Sequence, residues 1–157
     1  MRDATAAPSD HEAGFTMIEV MVVVLIIGIL MAIGIPTYLG ARNRAFDRSA
    51  QTQLRVAENT AMAIYTDAAT FADATTAALG EAEPSLSWLG SGTASTDARE
   101  VSVARAGDGT QFGAASMSDS GTCFYLRARE NGQTLYGQSS SSPCTGSYAL
   151  TVFGTSW

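Results

Sequence analysis

Hydrophobic and polar residues follow three regimes along the chain. From Phe15 to Ile35 run 21 residues, FTMIEVMVVVLIIGILMAIGI, of which only Thr16 and Glu19 are polar. As a helix this segment is about 30 Å long, the thickness of a bilayer's hydrocarbon core. A core helix is seldom apolar on every face for that length, and the rest of so short a chain cannot surround it. Residues 15–36 therefore read as a membrane-spanning helix. A conventional cleaved signal fits less well. The run is long for a signal core, Asp3, Asp10 and Glu12 precede it against a single Arg2, and no small-x-small site closes it.

Beyond Pro36 the pattern becomes amphipathic. Phe46, Ala50, Leu54, Ala57, Ala61 and Ile64 recur at intervals of three and four, which predicts one apolar stripe on a helix over 37–66. Arg44, Arg48 and Arg55 fall on the opposite face, turned toward water, headgroups or neighbouring molecules. Joined end to end, Phe15 to about Thr66 predicts a continuous helix of roughly 80 Å.

The remainder, 67–157, predicts a small head. Residues 67–97 read as a connecting loop anchored by Phe71, Leu79, Leu86, Trp88 and Leu89, with a short helix near Phe71 to Leu79. Residues 98–138 carry strand signals. Val101 and Val103 alternate with polar residues, Asp108-Gly109 marks a turn, and Phe112 to Met117 forms a second run. Cys123 to Arg129 and Thr134 to Gly137 flank Asn131-Gly132, a dipeptide suited to a tight hairpin. The predicted class is α+β: a long N-terminal helix packed on an antiparallel sheet of about four strands. Tyr148 to Phe153 is a last apolar stretch that returns along the sheet or closes the C-terminal loop.

Charge and cysteine usage narrow the partners. The nine basic residues are all Arg and face fifteen acidic ones, for a formal charge of -6. Such a field repels polyanions, and three arginines on a helix face are more readily a solvated or intersubunit surface than a DNA-binding strip. Cys123 and Cys144 suit either one disulfide in an oxidising compartment or two buried thiols. The single His, His11, has no nucleophile or orienting group to join, so no active site and no cofactor are implied. Asp97, Asp108 and Asp119 are loop carboxylates with no compact cation-binding spacing.

Glu19 demands an explanation, since a carboxylate within hydrocarbon costs at least a few kcal/mol unless it is paired or shallow enough to reach headgroups. Gly14-Phe15-Thr16-Met17-Ile18-Glu19, followed at once by the apolar run, resembles the processing site of type IV pilins and pseudopilins. The resemblance implies cleavage between Gly14 and Phe15 by a prepilin peptidase, with residues 1–14 as leader and N-methylation of the new Phe15 amine. It also gives Glu19 a partner, the charged Phe15 terminus of a neighbouring copy, which neutralises two groups that are each costly in lipid and fixes the stagger between copies.

The resemblance extends further. Gly28, Gly34 and Pro36 are similar to the helix-weakening positions of pilin stems, where each Gly costs up to about 1 kcal/mol relative to Ala. The Cys123 and Cys144 pair resembles the disulfide-bounded C-terminal loop of pilins, here 123–144, with Gln138 to Gly146 as a candidate contact surface. Two departures stand out. The leader has His11-Glu12-Ala13 where a basic residue is usual, and Arg42, Arg44 and Arg48 lie beyond the span, against the positive-inside tendency.

The implied protein is a single-pass inner-membrane precursor with its head outside the cytoplasm. Its implied partners are itself, the prepilin peptidase and a pilus assembly machinery. Three roles follow: the subunit of a type IV pilus serving adhesion, motility or DNA uptake; a pseudopilin of a type II secretion or competence system; or a tethered domain that does not polymerise.

Overall fold

The computed structural model describes residues 14–157, and the segment 1–13, His11 included, lies outside the described residues. Helix α1 runs Met17–Ala68 and contains Pro36. It is followed by a single 3-10 turn, Phe71–Asp73, and a short helix α2, Thr76–Ala82. Strands β1 (Ser87–Leu89), β2 (Glu100–Arg105), β3 (Gln111–Met117), β4 (Cys123–Arg129) and β5 (Thr134–Ser139) come next, and a one-turn helix α3, Gly146–Ala149, closes the order. The chain divides into two compact units, residues up to Leu39 and Gly40–Trp157.

Through the first unit every side chain from Gly14 to Leu39 is exposed. Among the described residues of this unit, nothing buries the apolar surface that water would reject. Pro36 has no N–H to close onto the carbonyl one turn back, yet the helix continues through it, and the Thr37 hydroxyl donates to the Ile33 carbonyl at 3.2 Å.

In the second unit the predicted stripe becomes the core. Ala50, Leu54, Ala57 and Ala61 are fully buried, clustered with Phe71, Leu79, Val101, Val103, Phe112, Phe124 and Leu126, and Ile64 packs at the margin. Alanines at three of the four fully buried α1 positions let the helix axis approach the sheet closely. The sheet reads β1-β2-β3-β4-β5 in spatial order, antiparallel except that β1 pairs parallel to β2. Gly109 (φ 72°) and Gly132 (φ 78°) occupy the turns that Asp108-Gly109 and Asn131-Gly132 predicted. A Cβ at Gly109 would also sit 2.2 Å from Thr70 Oγ1, so only glycine fits there.

The sheet has five strands where the sequence suggested about four. Residues 67–97 are not merely a loop, since they supply the 3-10 turn, α2 and β1. Three-residue β1 was illegible because it is too short for alternation and its pairing partner, Glu100–Ser102, lies over ten residues away. Thr70 and Thr75 cap the turn and α2 by accepting from the Ala72 and Ala78 amides at 3.1 Å each.

The opposite sheet face carries a second cluster of Ala115, Cys123, Tyr125, Cys144 and Ala149, covered by α3. Gly146 makes that approach possible, as a Cβ there would lie 2.4 Å from the Val103 carbonyl carbon. Tyr148 to Phe153 forms the end of α3 and a turn rather than a strand, and just beyond it Gly154 bridges antiparallel to Tyr136 on β5.

Candidate assembly interface

The helix start is built from three residues, Phe15, Thr16 and Glu19. Phe15 is 82% exposed, and Thr16 stands at the N-cap of α1. The Glu19 amide donates to Thr16 Oγ1 at 3.3 Å, and the Thr16 amide donates to Glu19 Oε2 at 3.5 Å. This reciprocal pair is a capping box, in which two of the helix's orphan amides are satisfied by each other's side chains. The T-x-x-E spacing of Thr16 and Glu19 is the sequence signature of this cap. The acid thus has a local duty as well, stabilising the helix start by about 1 kcal/mol. Its carboxylate stays exposed beside Phe15, Val20, Val23 and Val24, where a second molecule can reach it.

Gly28 and Gly34 have open space where a Cβ would project, so each leaves a notch in the apolar surface. Pro36 follows two residues after Gly34 inside the unbroken α1.

At the other end of the chain Cys123 and Cys144 form a disulfide, with Cα atoms 5.6 Å apart across a separation of 21 residues. Both cysteines are buried, at 0% and 2% exposure. The closed loop is pinned from within. The Tyr125 hydroxyl donates to the Pro143 and Ser142 carbonyls at 3.1 and 3.3 Å, and Ser139 Oγ accepts from the Ser141 and Ser142 amides at 3.2 and 3.1 Å. Burial, with Tyr148 nearby, pushes the Tyr125 hydroxyl up to about 12.

Two of the loop carboxylates, Asp97 and Asp108, are occupied with their own turns. Asp97 Oδ1 accepts from the Arg99 amide at 2.6 Å and the Glu100 amide at 3.2 Å. Asp108 accepts from the Thr110 amide and hydroxyl, bonds that hold its carboxyl below the usual range. Among the described residues no three His, Cys, Asp or Glu side chains gather in a metal-binding group. The aromatics Phe46 and Tyr65 pack locally. Arg42 stacks over the Phe46 ring at 5.1 Å and Tyr65 lies 4.6 Å from Phe71.

A stem helix opening on an exposed Phe and a capping Glu, with a head whose stem segment packs on a mostly antiparallel sheet, defines a pilin-like α+β subunit. The prokaryotic N-terminal methylation motif matches residues 10–35. Two relatives are similar to part of the chain. The type II secretion system core protein G of Escherichia coli (strain K12) is 35% identical over 51 residues, covering 32% of this chain and 35% of the relative. Its counterpart from Vibrio cholerae serotype O1 (strain ATCC 39315 / El Tor Inaba N16961) is 44% identical over 48 residues, covering 31% and 33%. The matches thus span about a third of the relatives' length. No solved structure matches the chain. The chain carries the N-terminal methylation motif of type IV pilins and pseudopilins and, over about a third of its length, is similar to type II secretion system core protein G.

Proposed function

We propose that the chain is a pseudopilin of a type II secretion or related system. It is cut between Gly14 and Phe15 by prepilin peptidase, N-methylated at Phe15, held in the inner membrane by α1 and polymerised with copies of itself by an assembly machinery. The observation that carries this reading is the exposure of every side chain from Gly14 to Leu39, with Glu19 as the one acid among them. Lipid covers such a surface in the precursor, and neighbouring copies cover it in a filament. Residues 15–36 are then the assembly helix, 37–66 the rest of the stem and 67–157 the head. Similarity to two secretion-system proteins favours the pseudopilus over a long surface fibre.

The fibre pilin is a second reading, favoured by the disulfide-bounded loop in the C-terminal part of the head. Sheared surface fractions separate the two. A pseudopilin at native expression is absent from long surface fibres, and its deletion stops export of the system's substrates; a fibre pilin is recovered in the sheared filaments. Polymerisation itself is tested with Glu19→Gln, which keeps an acceptor for the Thr16 amide and removes the charge. The variant is expected to be cleaved and membrane-bound yet to form no intersubunit crosslinks. Normal crosslinking in that variant would refute the assembly role of Glu19.

A further inference from the structure

The arginines of the stem are not used by the assembly mechanism. Arg42, Arg44, Arg48 and Arg55 stand against Asp47 alone between residues 40 and 55, a net +3, whereas residues 56–157 carry four arginines and ten acids, a net -6. The cationic character of an acidic protein is thus concentrated in one stretch. That stretch begins where the uncharged run ends. Residues 20–41 hold 22 uncharged side chains, about 33 Å of helix, so Arg42 and Arg44 are the first charges after a length of chain that fills a bilayer core.

Among the described residues the fold leaves these cations uncompensated. Arg42, Arg44 and Arg48 are exposed. Asp47 is turned to the β3–β4 connection, where its Oδ1 accepts from the Ser118 and Ser120 hydroxyls at 2.8 and 2.5 Å. Arg42 is held over the Phe46 ring, and Arg44 leans back one turn, its guanidinium nitrogen 3.7 Å from where a Cβ on Gly40 would be. Helical side chains tilt toward the N-terminus, which for Arg44 is toward the membrane-spanning residues in sequence.

We propose that Arg42, Arg44 and Arg48 form a binding surface for anionic phospholipid headgroups on the non-cytoplasmic face of the membrane, engaged while the chain waits unassembled. The inference rests on the reading of α1 as membrane-spanning. Guanidinium groups suit this occupant because their forked donors match phosphate oxygens in bidentate fashion. The partner's sign also accounts for arginines placed against the positive-inside tendency: headgroup phosphates compensate them locally.

The test is the selectivity of spin-labelled phosphatidylglycerol over phosphatidylcholine for the full chain reconstituted in phosphatidylcholine bilayers, read by electron paramagnetic resonance. The expected preference is about five-fold or more at low salt, declining toward unity at about 1 M NaCl and in the R42Q/R44Q/R48Q triple variant. Circular dichroism verifies that the triple variant keeps its helix and sheet. Equal association of the two lipids with the natural chain, or an unchanged preference in the triple variant, would overturn the proposal. Inorganic phosphate abolishing the preference more strongly than NaCl of equal ionic strength would overturn it in favour of a free anion. Loss of self-crosslinking in the triple variant with unchanged lipid preference would assign the surface to a second copy instead. Absence of any motionally restricted lipid at all would overturn the membrane reading, a failure distinct from lost selectivity.

Discussion

The guanidinium of Arg55 on α1 stacks over the ring of Trp157, 5.2 Å from its centroid, and the indole N–H of Trp157 donates to the Tyr125 carbonyl on β4 at 3.0 Å. One aromatic side chain therefore fastens the stem segment to the sheet within the head. It is also ringed by Tyr136 at 4.6 Å and Phe124 at 6.2 Å, both edge-on. The terminal segment that carries it has first bridged β5 through Gly154, covering part of an edge strand.

Removing this ring is expected to loosen the head. Trp157→Ala should cost about 2–3 kcal/mol, less than a fully buried Trp because the side chain is partly exposed. Arg55→Ala should cost about 0.5–1 kcal/mol. The double variant should lose less than the sum, since both remove the same stacking contact. Urea unfolding monitored by far-ultraviolet circular dichroism gives all three values.

The disulfide closes a loop of 21 residues' separation, for which chain-entropy arguments give about 3 kcal/mol. Cys123→Ser with Cys144→Ser should lower the unfolding midpoint of the head accordingly. The natural chain should show the same drop in reductant, and the double variant should be indifferent to it. A reductant effect on the double variant would contradict this assignment.

Tyr125 ties the loop to the sheet in its neutral form. Its folded pKa of about 12 exceeds the ordinary value of 10.0, so the folded state disfavours ionisation and the unfolded state permits it. The associated stability is complete below pH 10 and drains away as pH rises from 10 toward 12. Tyr125→Phe should flatten that alkaline limb in a pH series of thermal melts. It should also destabilise at neutral pH, because the Ser142 and Pro143 carbonyls lose their donor.

Two glycines predict opposite outcomes. Gly146→Ala drives a Cβ to within 2.4–2.7 Å of backbone atoms of Val103 and Ala104, and β2 has no room to yield, so folded protein should be largely lost. Gly80, inside α2, offers a Cβ an ordinary 3.6 Å contact with Trp88, and Gly80→Ala should stabilise by up to about 1 kcal/mol. Soluble yield and melting temperature of the two variants compare them directly.

What was legible in the sequence was local. The stem stripe was readable because Ala50, Leu54, Ala57 and Ala61 repeat with the helix period, and the hairpin turns because Gly109 and Gly132 meet a backbone demand fixed by their own φ. Strand β1 and helix α3 were not, since both are too short for periodicity and exist only through distant partners: Glu100–Ser102 for β1, and the face of β2 and β3 for α3. The same holds for Trp157, whose role depends on Arg55 a hundred residues earlier. At the helix start Glu19 has two roles at once, since its charge is costly in lipid while the T-x-x-E spacing from Thr16 makes it a cap.

The most direct test of the account is the N-terminal sequence and intact mass of the protein recovered from membranes of cells that contain the prepilin peptidase. The account predicts a chain that begins at Phe15 with one methyl group on its amine, which places the new terminus beside Glu19 at the start of α1. A chain that retains the residues preceding Phe15, or starts there unmethylated in the presence of an active peptidase, would contradict it.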